Sequence, residues 1–458
     1  MLTSSRVRPL LVLTLLGLAV RVVFVFAEPE TRPIADETMW VTWGTQVLPS
    51  PEVGFSPLRF RLVFHPPVYP YFLGAGFVLL GSLTAIKLVQ AVVGALLVPA
   101  VGRLGTLAFG PRPGLVAAGI AAFYPELVWF SAHFWAELLF LTVLFWAFER
   151  LATSDATESP RAAVAAGILW GLAILTRETV LYFAPVAALF LYWKRPQGAR
   201  RAAAFLLAVV VVVAPWTLRN WRMYGAFVPV STAGALNLWQ GNTTLSRQEV
   251  YEQYWAVRGR VAKYEFARQK GLEAIAERQP AWFFEKLRDE MPRFWEADSQ
   301  ALVHMRRGAY GGQPSFGTAL AVTLIVLIPF LVVLTLAVAG IAILPVRPLS
   351  LLLLSYLVYY NLIHVITHGY ARYRLPILPV LFLLAGVALA RAKEPAPVPA
   401  PRSRRLVAAG CALVLALSLA PSVRLLLRKG ALVSENARFG LAPSPEMGAA
   451  PADEGPER

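Results

Sequence analysis

The sequence predicts an all-α polytopic membrane protein, and three observations carry that expectation. The chain is 57% hydrophobic and only 15% charged over 458 residues, more apolar surface than a water-soluble fold of this length could hide. Its mean hydropathy is positive. Apolar runs of about 20 residues, the length that crosses a bilayer, recur from one end to the other. The single cysteine, Cys411, rules out a disulfide within one chain. A net charge of +16 reads as positive loops meeting the cytoplasm and anionic membrane lipids, with no nucleic acid implied.

Taken in order, the runs begin near Pro9, Thr84, Pro113, His133, Ala162, Thr179 and Arg201. They give spans near 9–27, 84–104, 113–131, 133–152, 162–176, 179–193 and 201–218, an N-terminal module over 1–219. Arg21 lies inside the first run, which suits a retained helix better than a cleaved signal. A polar interval, 220–316, follows as an extracytoplasmic helical loop. Runs near Gly317, Leu349, Leu375 and Leu406 then form a C-terminal set over 317–422, before a Pro/Ala-rich tail over 423–458. The total is about eleven spans.

Val68 to Gly81 is short and follows two prolines, so it reads as a juxtamembrane helix of the first outer loop. With that choice Arg6, Arg8, Arg103, Arg112, Arg150, Arg161, the stretch Lys194 to Arg201, Arg347 and Arg405 gather on one side. Positive loops face the cytoplasm. The N-terminus is then cytoplasmic, and Asp36 faces outward. In the polar interval, apolar and aromatic residues recur at three- and four-residue spacing up to Phe294-Trp295, with a break at Gln279-Pro280. Packing at the interface accounts for most of those aromatics.

Motifs of soluble nucleotide and metal enzymes are missing: no P-loop, GxGxxG, HExxH or paired CxxC. The polar residues that stand out fall instead at the outer ends of helices. Asp36 and Glu37 follow the first span, and His65 opens HPPVYP. Glu126, His133 and Glu137 flank the second outer loop, while Arg177 and Glu178 sit in LTRE. Arg219 lies in PWTLRNWRMYG, and His364, His368, Arg372 and Arg374 lie in HVITHGYARYRLP. Arginine binds phosphate through a planar fork and keeps its charge. A carboxylate beside it can deprotonate an acceptor. A lipid-linked phosphate is a substrate that reaches both. His133 and Glu137 stand four apart on one helical face, as do His364 and His368. Two ligands do not make a metal site, so no cofactor is expected. A divalent metal stays a lesser alternative, with His133, His364 and His368 as its candidate ligands.

The order of these segments resembles a known family. Asp36-Glu37, HPPVYP, GLAILTRETV (Gly171 to Val180), Pro215 to Asn242 and ARYRLPILP (Ala371 to Pro379) are similar to GT-C fold glycosyltransferases that use polyprenyl-phosphate-linked sugars. The likeness is specifically to bacterial relatives of protein O-mannosyltransferases and lipid A aminoarabinose transferases. That resemblance implies a seven-helix module whose first outer loop carries the catalytic aspartate, the position of Asp36. It implies inverting transfer from a polyprenyl-phosphate-sugar donor to a lipid, glycan or protein acceptor outside the cytoplasm, in a bacterial inner membrane. Glu37 is a supporting neighbour, and Glu137 matches the acidic residue of the second outer loop. His65 matches a position where relatives contact the lipid phosphate, and Arg372 and Arg374 match a basic cluster. Arg177 and Arg219 join them as phosphate candidates. The chain departs from the family in lacking an extra folded domain in the long loop and a sizeable soluble C-terminal domain. A flippase or ligase of lipid-linked saccharides is the alternative. A transporter should carry charges at mid-membrane and inverted repeats, neither of which the sequence displays.

Overall fold

A computed structural model describes residues 4–28, 33, 36–47, 64–193, 197–310, 314–391 and five positions between 406 and 416. The expected span from Leu406 lies largely outside the described residues, and the tail over 423–458 lies wholly outside them. No strand occurs among the described residues. The chain runs through α1 (Ser4–Ala27), α2 (Asp36–Val47), α3 (Val68–Leu80), α4 (Leu83–Phe109), α5 (Pro111–Phe123), α6 (Pro125–Trp129) and α7 (Ala136–Thr157). Next come α8 (Pro160–Thr176), a 3-10 turn (Glu178–Val180), α9 (Ala184–Tyr192) and α10 (Gly198–Tyr224). The polar interval folds as α11 (Ala233–Asn242), α12 (Arg247–Ala256), α13 (Arg260–Glu277), α14 (Ala281–Trp295) and α15 (Gln300–Arg306). Finally α16 (Phe316–Ile343), α17 (Pro348–Ile366), a 3-10 segment (Ala371–Ile377) and α18 (Leu378–Arg391) return to the bundle.

Among the described residues six helices are long and apolar enough to cross a bilayer: Arg8–Ala27, Leu83–Phe109, Gly198–Tyr224, Phe316–Ile343, Pro348–Ile366 and Ala371–Arg391. Their outward faces are apolar, with Leu15, Leu207, Val211, Ile325 and Val332 all exposed. Such a surface is stable against lipid tails and not against water. The chain is a multi-pass membrane protein. Inside, one continuous apolar core joins α4, α5, α7, α8, α10, α16, α17 and α18. Where α8 crosses α10 a glycine is required, because a Cβ on Gly167 would sit 2.3 Å from the Phe205 carbonyl oxygen.

α3 has 13 residues, about 20 Å of helix at 1.5 Å per residue, against about 30 Å of hydrocarbon. Gly81 ends it in the left-handed region, φ 63°. Trp40, Tyr69 and Leu73 pack α3 against α2 in a small separate core.

The single span expected over 113–131 is two pieces. Pro125 forces Tyr124 into extended backbone (φ −65°, ψ 118°) and so ends α5. The helix that leaves orphan carbonyls there finds a donor in Arg21. Its guanidinium bonds Ala122 O at 2.7 Å and Ala121 O at 3.1 Å. This accounts for a charge inside the first apolar run: it closes the end of a neighbouring helix. The next expected span, from His133, begins as helix only at Ala136. Gln90 of α4 meets the carbonyls of Ser131 and His133 in the non-helical stretch between.

The loop helices are fastened to the bundle by backbone. A Cβ on Gly241 of α11 would lie 1.6 Å from Thr367 O at the end of α17. Lys286 Nζ bridges the same two segments, donating to Gly241 O and, at 3.0 Å, to Thr367 O. Glu290 accepts from Gly369 N at 2.8 Å. The break anticipated at Gln279-Pro280 separates α13 from α14.

Candidate active site

Asp36 and Glu37 open α2, and one helical step of about 100° turns them apart. Asp36, 30% exposed at its side chain, accepts from Arg372 Nη1 at 2.7 Å. Arg372 in turn lies over the rings of Trp135 and Tyr373, at 4.9 and 5.1 Å. Glu37 points inward, taking Phe134 N–H at 2.8 Å and meeting His304 Nε2 at 3.0 Å. Glu37 is therefore an anchor of α2, and Asp36 is the more exposed of the two carboxylates. Burial pushes the Asp36 carboxyl up, but Arg372, then Arg247 and His65, outweigh it and hold it below the ordinary range.

His65 lies among aromatic rings, 5.2 Å from Trp40 and 4.7 Å from Trp43 and Phe64. Burial drives its pKa down to about 3 against the pull of Asp36, and Arg177 and Arg372 lower it further. With its pKa held this low, His65 offers a phosphate a hydrogen bond in place of a charge.

Of the remaining candidates Arg177 stays beside the site, 5.9 Å from the Tyr373 ring that Arg372 also covers, and the others divide into separate places. Arg177 is paired with Glu137 at the start of α7, where the two side chains are 20% and 4% exposed. Glu178 turns away from its neighbour and accepts from Ser231 Oγ at 2.8 Å. Arg374 is buried and spends its fork on the carbonyls of Glu296, at 2.6 Å, and Asp298. It braces the loop, whereas Arg372 meets Asp36. Arg219 stacks on Trp216 at 4.4 Å and bonds Asn220 Oδ1 at 2.8 Å. Together with Val68, Tyr71, Leu175 and Val212 it lines an open apolar groove of about 550 Å³ between α3, α8 and α10.

The histidines do not share one cavity. His364 stacks on Tyr373 at 4.7 Å and Phe294 at 5.7 Å, and His368 Nε2 lies 3.3 Å from Tyr373 Oη. His133 belongs elsewhere, stacked on Trp129 at 3.6 Å with His304 at 5.3 Å. Its ring, Glu37 and His304 form the one three-residue group among the described residues able to hold a metal ion.

Sequence reasoning passed over three residues. Arg247 and Arg307 are exposed, and each lies within electrostatic reach of Asp36. Their only signal was charge on a loop otherwise read as packing. His304 is a lone histidine whose carboxylate partner, Glu37, stands 267 positions away in sequence, so no local spacing marks it. The assembled site is a carboxylate ringed by arginines, close to an apolar groove that carries a cation. It suits an amphiphilic anion, with a base available for a proton.

A family model described as dolichyl-phosphate-mannose-protein mannosyltransferase matches residues 64–218. Among solved structures, the oligosaccharyltransferase AglB of Archaeoglobus fulgidus, in complex with an inhibitory peptide and a dolichol-phosphate, is similar at a TM-score of 0.52 and 15% identity. The match covers 92% of this chain and 56% of that one. ArnT from Cupriavidus metallidurans, bound to undecaprenyl phosphate, is similar at a TM-score of 0.50 and 18% identity, over 92% of this chain and 73% of that one. This chain thus spans little more than half the length of AglB. No curated protein matches it in sequence. The likeness shows the fold: the chain adopts the GT-C fold of these membrane proteins.

Proposed function

We propose that the chain is an inverting glycosyltransferase of a bacterial inner membrane. It moves a hexose or pentose from a polyprenyl-phosphate-linked donor to a lipid, glycan or protein acceptor outside the cytoplasm, with the N-terminus cytoplasmic. The observation that carries this reading is the Asp36–Arg372 contact at 2.7 Å. It joins a partly exposed carboxylate to an arginine suited to phosphate, each contributed by a different half of the chain. The apolar groove edged by Arg219 has the character needed for a polyprenyl tail whose phosphate end meets a cation. The neighbours' bound dolichol-phosphate and undecaprenyl phosphate support the same class of donor.

In this mechanism the donor phosphate draws on Arg372, and Asp36 turns to the acceptor. The acceptor O–H or N–H gives its proton to Asp36 while its heavy atom bonds the anomeric carbon from the face opposite the phosphate. The bond from that carbon to the phosphate oxygen breaks, and the polyprenyl phosphate leaves with the electron pair. Arg372, with Arg247 and Arg307 nearby, stabilises the charge that develops on the leaving group. His65 contributes hydrogen bonding only. Glu137 acts by holding Arg177.

Mass spectrometry of lipid-linked sugars that accumulate in cells lacking the protein tests the reading and names the donor. Accumulation of a polyprenyl-phosphate sugar, reversed by the wild-type gene but not by Asp36→Asn, is the expected result. Full reversal by that variant would remove Asp36 as the base.

A further inference from the structure

On the side of α2 turned away from Arg372, four buried side chains converge. Glu37, His133 and His304 present ligand atoms that lie within 4.8 Å of one another. Glu28 reaches in from the end of α1, a carboxylate oxygen 3.1 Å from His133 Nε2. None of the four side chains is more than 4% exposed.

Backbone carbonyls fix the tautomers. His133 Nδ1 lies 2.9 Å from Trp129 O, and His304 Nδ1 lies 3.1 Å from Gln300 O. A carbonyl only accepts, so His133 Nδ1 carries a proton, and at His304 the carbonyl, nearer at 3.1 Å than the Gln300 side-chain amide at 3.3 Å, places one on Nδ1 too. In a neutral ring the lone pair is then on Nε2. Yet each Nε2 faces a carboxylate oxygen, His304 to Glu37 at 3.0 Å and His133 to Glu28 at 3.1 Å. Lone pairs at that separation repel unless a positive centre lies between them. His133 Nε2 makes no hydrogen bond among the described residues. The positive centre is either a second proton on each ring or one cation shared by all four side chains.

A shared cation fits the chemistry better. Two imidazole nitrogens and two carboxylates are a tetrahedral donor set for zinc. A ring Nδ1–H given to a carbonyl is the second contact that orients metal-binding histidines. Ligand atoms about 2.0 Å from a tetrahedral ion stand about 3.3 Å apart, so shifts of under about 1 Å per side chain would close the 4.8 Å spread of Glu37, His133 and His304, and Glu28 already lies 3.1 Å from His133 Nε2. We propose that Glu28, Glu37, His133 and His304 bind one zinc ion in a closed structural site. It ties together the end of α1, α2, the loop before α7, and α15. Asp36 is not a ligand, being held by Arg372 on the other face of α2. The zinc is a positioning element that sets the direction of Asp36.

The test measures metal on the full chain, purified in detergent without chelator, equilibrated with zinc chloride and passed through a desalting column. Wild type should retain about one zinc per chain, and its thermal midpoint should rise with zinc. Asp36→Asn should keep that zinc. His304→Ala and His133→Gln should each lose at least about nine-tenths of it and no longer respond to zinc. X-ray absorption of the wild-type protein should reveal only nitrogen and oxygen neighbours. Monodisperse wild type holding less than about a tenth of an equivalent would overturn the site. So would full zinc in both histidine variants, or a sulfur neighbour, which would move the metal to Cys411 or a methionine. Because metal content is read apart from sugar transfer, failure here leaves the proposed activity standing.

Discussion

At the scale of single residues, adjacency in sequence says little about shared work. Arg372 and Arg374 are two apart in a 3-10 segment, about 240° around its axis, and they serve different ends. Arg372 meets Asp36, while Arg374 holds two loop carbonyls. Arg372→Ala should weaken binding of a polyprenyl-phosphate donor about tenfold to a hundredfold. That range follows from losing a charged hydrogen bond worth about 1.5–3 kcal/mol. Arg374→Ala should instead lower the thermal midpoint and leave donor affinity of the folded fraction unchanged. Equal loss of affinity in both variants would contradict the division. Asp36 could be found in the sequence because an acid just past a span has few structural uses. The two arginines could not be told apart there, since their partners lie more than 70 positions away.

At the scale of elements, proline and glycine set the limits that hydropathy misses. An apolar run alone does not reveal that Pro125 splits the third expected span, because apolar character continues across the break. Arg21, read simply as a charge within a helix, is the counterpart of that break. Gly241→Ala should loosen the loop helices from α17 and increase proteolysis within 243–299, since no room exists for a Cβ beside Thr367 O. The turn between α14 and α15 should also respond to pH. Burial, then Asp298, raises the Glu296 carboxyl from 4.5 to about 7, against the pull of Arg374, Arg306 and Arg293. The folded chain thus keeps a proton that the unfolded chain has released, and stability falls as pH rises from about 4.5 to about 7. Glu296→Gln should flatten that part of a plot of thermal midpoint against pH. An unchanged slope would remove Glu296 as its source.

At the scale of the whole molecule, the halves of the chain meet at one carboxylate. α2 supplies Asp36, the segment before α18 supplies Arg372, and α12 and α15 bring Arg247 and Arg307 near. Membrane class and helical architecture were legible because hydropathy and segment order are written locally. The groove was not, because it arises only when α3, α8 and α10 pack. Filling it with Val212→Trp should weaken binding of a long-chain polyprenyl phosphate by at least about tenfold, with little effect on a short-chain analogue. Equal effects on both would place the lipid elsewhere. The central claim is that Asp36 takes the acceptor's proton. The most direct measurement is single-turnover sugar transfer by purified Asp36→Asn, with donor binding followed in parallel. A general base contributes about 10²- to 10⁴-fold, so transfer should fall by at least about a hundredfold while the donor still binds. Near-normal transfer by that variant would contradict the account.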